Sequence, residues 1–183
     1  MRVFIGLKLP CLVKDYLISM QDLVKNAASS GNYSLYDNFH LTLKFIGEVE
    51  SHEMDELKDL IDEVTSLHNK FNLKIGGLGS FNRKDKHIVF TEVVEGLEPL
   101  KALQKDLERR LFDEAFIEKI ETYKPHITLA REVRFNEVSV LNVVTEYPNP
   151  IPIEEVTLFL SKRDKLGKLV YEEIYSQNLL SKV

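Results

Sequence analysis

The chain has 183 residues, with 24 Lys and Arg against 29 Asp and Glu, a formal net charge of −5 and one cysteine, Cys11. An acidic balance excludes wholesale, charge-driven coating of nucleic acid, although it leaves room for a local basic cleft. A single thiol excludes an intrachain disulfide, a thiolate zinc site and a CxxC redox pair, and fits a reducing cytoplasm.

Val3 to Leu9 reads as a first strand, which Lys8 and Pro10 cut too short for a signal peptide; no segment approaches the roughly 20 apolar residues needed to cross a bilayer. Pro10 suits the first turn of a helix, whose face is marked by Leu12, Tyr16, Met20, Leu23, Val24 and Ala27 and which Ser29-Ser30-Gly31-Asn32 should stop. Phe39 to Ile46 forms a strand. Ser51 is the expected N-cap of a helix carrying Met54, Leu57, Leu60, Ile61, Val64 and Leu67 on one face. Phe71 to Ile75 is a strand, Gly76-Gly77-Leu78-Gly79 offers a tight reversal, and Asn82 to Lys86 a loop before a strand from His87 to Val94. Leu97, Leu100, Leu103, Leu107 and Leu111 mark a helix ending near Phe112 or Asp113.

A further strand is expected around Phe116 to Glu121, and Lys124-Pro125 leads into another. Glu137 to Val144 reads as a short helix, broken by Pro148, Pro150 and Pro152. Ile153 to Lys162 and Leu169 to Ser176 are strands joined by a hairpin at Asp164-Lys165-Leu166-Gly167. The order predicts one α+β unit of two similar lobes with a site between them.

One short pattern occurs twice, as His40-Leu41-Thr42-Leu43 and His126-Ile127-Thr128-Leu129. In a strand side chains alternate, so each His shares a face with its Thr while Leu or Ile fills the other. Two such strands facing each other would gather two imidazoles and two hydroxyls around one small anion. One imidazole could take a proton from water while the other gives one to a departing oxygen, which suits metal-free hydrolysis of a phosphodiester. Two His without an obvious third ligand make a poor zinc site. Taken singly, each motif is also compatible with ordinary strand packing, since Thr is a natural strand residue.

With its flanks, the pattern resembles a known family. Met1 to Ile5 before Leu9-Pro10, the run His40 to Val49, the Gly77-Leu78-Gly79-Ser80-Phe81 turn, Lys124-Pro125 to Arg131 and Val156 to Ser161 together are similar to the RNA 2′,3′-cyclic phosphodiesterases, also called 2′-5′ RNA ligases, of the 2H phosphoesterase superfamily. The resemblance implies a bilobal α+β fold over residues 1–183, with two antiparallel-sheet lobes, outer helices and a central cleft. It implies hydrolysis of 2′,3′-cyclic phosphate ends of RNA to 2′-phosphates without a cofactor or metal. It further implies His40 as proton donor to the leaving 3′ oxygen, His126 as proton acceptor from water, and Thr42 and Thr128 on the phosphate. RNA or an oligonucleotide is then the partner, with no membrane and no obligate protein partner. Ligation, another small cyclic phosphate, and a non-catalytic nucleotide- or RNA-binding module are the alternatives.

Arg131 stands where the family often carries Arg, and its guanidinium could complete the phosphate site. Lys44 shares the expected face of Thr42. Many relatives carry an aromatic, often Trp, before the first motif; this chain has no Trp and offers Tyr33 and Tyr36 for base stacking. Arg83, Lys84 and Lys86, and separately Arg163, Lys165 and Lys168, could attract an RNA backbone, and Phe81 could line the cleft mouth. His52, His68 and His87 lack the repeated context and read as structural or exposed.

Overall fold

The computed structural model describes residues 1–181, with Arg83 by its backbone alone. Among the described residues, nine strands and three α-helices follow in the order β1 (Arg2–Lys8), α1 (Cys11–Ala27), β2 (Ala28–Tyr33), β3 (His40–Glu48), α2 (Met54–Thr65), β4 (Phe71–Arg83), β5 (Lys86–Glu95), α3 (Leu97–Asp113), β6 (His126–Phe135), β7 (Ile151–Ile153), β8 (Glu155–Arg163) and β9 (Leu169–Asn178). The strands form two antiparallel sheets, ordered β3-β1-β8-β9 and β2-β6-β5-β4-β7. Helices α2 and α3 pack on each other and on the four-stranded sheet, and α1 packs on β2 and β6 of the other. Among the described residues no helix is long and apolar enough to cross a membrane.

Apolar periodicity explains the helices. Leu57, Ile61 and Val64 of α2 and Leu100, Leu103, Leu107 and Leu111 of α3 are all 0–2% exposed, the face their spacing predicts. In α1 the buried face is Val13, Leu17, Met20, Gln21 and Val24, one position round from the expected one: Leu12 is 70% exposed and Leu23 39%. Leu67 lies beyond the end of α2 and is exposed. Ser51 is not the N-cap of α2. A 3-10 turn, Ser51–Glu53, precedes the helix, and Glu50 and Glu53 close it by exchanging backbone hydrogen bonds.

The sheets contain three further surprises. Ser29 to Asn32 does not simply stop α1; it belongs to β2, an edge strand held by its ladder to β6. The glycines at 76–79 do not reverse the chain. They lie inside the long β4, where Gly79 lets the Phe90 ring cross the strand and a Cβ on Gly76 would meet Glu146 and the Thr145 carbonyl. Phe116 to Glu121 forms no strand, and its Phe116 and Ile117 pack from a loop. Glu137 to Val144 contains a 3-10 turn, Val138–Asn142, instead of an α-helix. The Asp164–Gly167 hairpin is as expected, with the Asp164 carboxylate accepting from the Leu166 and Lys168 amides.

Candidate active site

His40 and His126 are the first residues of β3 and β6, one strand from each sheet, and these strands approach each other where the sheets face. Period-two alternation buries Leu41, Leu43, Ile127 and Leu129 to 0–2% exposure and leaves His40, Thr42, His126 and Thr128 half-buried on the opposite face.

Both imidazoles are fixed the same way. His40 Nδ1 lies 2.7 Å from the Asn38 carbonyl and His126 Nδ1 2.6 Å from the Lys124 carbonyl. A carbonyl only accepts, so each Nδ1 carries the proton and donates it, leaving Nε2 as the proton-exchanging atom. The two Nε2 atoms then differ. That of His40 is 2.9 Å from Thr42 Oγ1, whereas that of His126 has no hydrogen-bond partner among the described residues.

Bulges decide what joins them. β3 carries an extra residue between Thr42 and Lys44, which pair with the adjacent Gly6 and Ile5 of β1. β6 carries one at the equivalent place, between Thr128 and Ala130, which pair with Phe90 and Val89 of β5. An extra residue flips the alternation that follows. It therefore turns Lys44 off the His-Thr face: Lys44 Nζ is buried against Glu108 of α3 at 2.6 Å, with Glu121 at 3.4 Å. The same flip turns Arg131, an odd five residues after His126, onto the His-Thr face, where it is exposed.

Each bulge exposes a threonine carbonyl, and each is held by the lead-in to the opposite motif. Tyr123 donates its hydroxyl to Thr42 O at 3.0 Å, and Ser34 donates its own to Thr128 O at 2.9 Å. Leu129 O accepts from the Ser34 amide and from the amide of buried Gln21, both at 2.9 Å. Neither Tyr123, Ser34 nor Gln21 was singled out in the sequence; a Gln on the buried stripe of α1 is the one signal available.

Aromatic rings wall both imidazoles. Around His40 stand Phe4 at 4.6 Å, Tyr171 at 5.1 Å edge-on and Phe159 at 5.8 Å. Around His126 stand Phe81 and Phe90, each at 5.1 Å, so Phe81 borders the site. Gly6 lies beneath His40: a Cβ there would sit 2.8 Å from Leu41 O and 3.5 Å from His40 Cδ2. Burial pushes the His40 pKa down to about 4 against the pull of the Asn38 carbonyl, with Arg131, His126 and Lys14 adding to the fall. Burial also lowers His126, opposed by the Lys124 carbonyl and reinforced by Arg131. The Arg131 charge thus acts on both rings. Burial raises Tyr171, opposed by the charges of Arg131 and Arg2.

The Tyr36 hydroxyl donates to Cys11 O and Asp15 at the start of α1. His68 pairs with Asp106, and His87 packs edge-on against Phe135. Among the described residues no three His, Cys, Asp or Glu side chains converge to hold a metal ion. A groove of about 960 Å³ adjoins the site at Arg131 and runs between the β2–β6–β5 surface and the β8–β9 hairpin; Tyr33 lines it.

Known proteins share this sequence pattern and fold. The family model described as the 2′-5′ RNA ligase superfamily matches residues 23–165. An Aeropyrum pernix protein named RNA 2′,3′-cyclic phosphodiesterase is 33% identical over 96 residues, covering 52% of this chain and 53% of that protein, about half its length. One of the same name from Methanothermobacter thermautotrophicus is 26% identical over 130 residues, 71% of this chain and 70% of that one. The crystal structure of a Thermus thermophilus protein superposes with a TM-score of 0.83 at 24% identity, over 98% of both chains. That of E. coli LigT complexed with 3′-AMP does so at 0.81 and 22% identity, over 97% of both. The fold is therefore shared with these structures, and the chain belongs to the 2′-5′ RNA ligase superfamily, among the 2H phosphoesterases that its paired motifs resemble.

Proposed function

We propose that the protein hydrolyses 2′,3′-cyclic phosphate ends of RNA or oligonucleotides to 2′-phosphates, without a metal, using His40 and His126 as the proton-transfer pair. The observation that carries this reading is the pair of imidazoles, one from each sheet, each locked by Nδ1 to a carbonyl and offering Nε2 on the Thr face. The names of the relatives point the same way.

The bound phosphate lies between the two strands, with its nonbridging oxygens on Thr42, Thr128 and the Arg131 guanidinium. Water attacks phosphorus as the bond to O3′ breaks. His126 Nε2, free of other partners, takes the water proton, and His40 Nε2 supplies a proton to O3′. The reading makes one demand. His40 has a pKa near 4 in the protein alone, so the phosphate's negative charge must raise it before it can donate. Binding the anion thereby recruits the acid.

Residues 1–183 act as one bilobal unit in this reading, because the chain passes back and forth between the sheets and each contributes one motif. A cytoplasmic location and independence from a protein partner or a membrane complete it; the lone Cys11 suits a reducing compartment.

The test is incubation of purified protein and EDTA with an oligoribonucleotide ending in 2′,3′-cyclic phosphate, with the product isomer identified. A 2′-phosphate made by wild type and reduced by about 10²- to 10⁴-fold in H40A and H126A is expected. Binding without turnover would instead reveal a non-catalytic module, and loss in EDTA with recovery on one metal would defeat the metal-free chemistry. A substrate with a better leaving group should rescue H40A selectively; rescue of H126A would reverse the assignment.

A further inference from the structure

Every polar group of Asn38 has a partner, and one of those partners is the His40 ring. Its amide donates to Leu35 O at 3.0 Å in the 3-10 turn Tyr36–Asn38, and its carbonyl accepts from His40 Nδ1 at 2.7 Å. The side chain reaches β9, where Nδ2 donates to Leu169 O at 2.8 Å and Oδ1 accepts from the Tyr171 amide at 3.1 Å. Residues two apart on a strand turn their backbone groups to the same side, so one carboxamide satisfies both, as a peptide unit of a further strand would. β9 is one outer strand of its sheet; β3, which His40 begins, is the other, with β1 and β8 between them. The residue that holds the His40 ring is thus pinned to the far edge of the sheet. Phe4 of β1, Phe159 of β8 and Tyr171 of β9, the rings that wall the imidazole, come from the strands it spans.

The second motif holds its imidazole by other means. His126 Nδ1 donates to Lys124 O, and the residue between them is Pro125, which fixes its own φ and confines Lys124 to extended backbone. In the first motif the intervening residue is Phe39, whose side chain is buried but whose backbone has no ring constraint. We propose that Asn38 is a positioning residue for the proton donor: anchored on β9 by its carboxamide, it aims its own carbonyl at His40 Nδ1 and keeps the imidazole in the tautomer that presents Nε2 to the reacting phosphate. The inference rests on the reading of the His pair given above and adds a residue to it. Asn supplies what the anchor needs, a donor and an acceptor on one short fork; Asp has no donor for Leu169 O, and Ala has neither group. Once the Asn38 carbonyl drifts, the neutral ring can carry its proton on Nε2, which leaves the bare nitrogen at Nδ1, on the side of Asn38.

The experiment uses the nearly isosteric N38D together with N38A, both checked by thermal melting. At neutral pH, nitrogen NMR of the imidazoles should show wild-type His40 in the Nδ1–H form. Both variants should add a population protonated on Nε2 while His126 stays as it was. On an oligoribonucleotide 2′,3′-cyclic phosphate, kcat should fall by about 10- to 10²-fold with KM little changed. Sulfur in place of the bridging 3′ oxygen gives a thiolate that leaves without a proton, and should remove most of that loss. N38A added to H40A should lower activity no further than H40A alone. Unchanged His40 nitrogens in both variants, a loss that the sulfur substrate does not relieve, or a further loss on top of H40A overturns the proposal and makes Asn38 an anchor of β9 only. If wild type turns over no cyclic phosphate, the catalytic reading fails, and the His40 spectra alone decide whether Asn38 sets its tautomer.

Discussion

Tyr123 donates its hydroxyl to the main-chain carbonyl of Thr42 at 3.0 Å, so the segment leading into the second motif braces the backbone of the first. Ser34, leading toward the first motif, returns the contact to Thr128. This exchange fixes two strands from different sheets relative to each other at the bulges that aim their side chains. Y123F should leave a polar atom at Thr42 without its partner, at a stability cost of about 1–3 kcal/mol. Activity should fall further than stability accounts for, with kcat reduced in fully folded protein; S34A should do the same from the other side. Unchanged kcat in a folded Y123F would show the brace to be purely architectural.

His40 makes stability depend on pH with a definite sign. Its pKa falls from an ordinary 6.5 to about 4 on folding, so between these values the unfolded chain binds the proton and the folded one does not. The stability this contributes is complete above pH 6.5 and is lost as pH falls toward 4, by at most about 3 kcal/mol. Depressed His126 adds in the same direction. Denaturant melts of wild type and H40N across this window should show a shallower slope for the variant. Inorganic phosphate should reverse the effect on His40, and its imidazole resonances should then titrate at higher pH; a titration unaffected by phosphate would contradict the proposed recruitment of the acid.

The Lys44–Glu108 pair is buried, at 10% and 5% side-chain exposure, and Glu108 also accepts from Gln104 and the Glu121 amide. Burial alone would raise the Glu108 pKa, but these donors and the Lys44 charge together hold it below the usual carboxylate range. K44M strands that charge and should cost about 3–5 kcal/mol, whereas K44M combined with E108L should recover much of the loss. Chemical denaturation of the two single variants and the double variant measures the coupling. A small loss in K44M would mean that water or neighbouring groups already satisfy Glu108.

Local pattern made the three helices and the His-Thr faces legible, because burial there follows a period of 3.6 or 2. It failed where backbone contacts outweigh side chains. β2 is polar and exists through its ladder to β6, and the glycines of β4 serve close packing against Phe90 and the 145–146 backbone in place of a turn. At the site, an extra residue in each strand is invisible in sequence, yet it decides that Arg131 shares the His-Thr face and Lys44 does not. Tyr171, Phe159, Tyr123 and Ser34 escaped notice because only the fold brings them to the motifs.

Gly6 lies far from both motifs in the chain, yet the space above it is where the His40 ring rests. A methyl there would meet the Leu41 carbonyl at 2.8 Å while only touching the imidazole edge at 3.5 Å, so G6A should fold, at a cost in stability, and move His40 through the shifted backbone of its neighbour. Saturating position 6 and selecting for turnover should return glycine alone, while selecting for soluble expression should also return alanine. The aim of the His40 ring would then be set by a missing atom on the neighbouring strand, a form of precision that substitutions of His40 itself would never reveal.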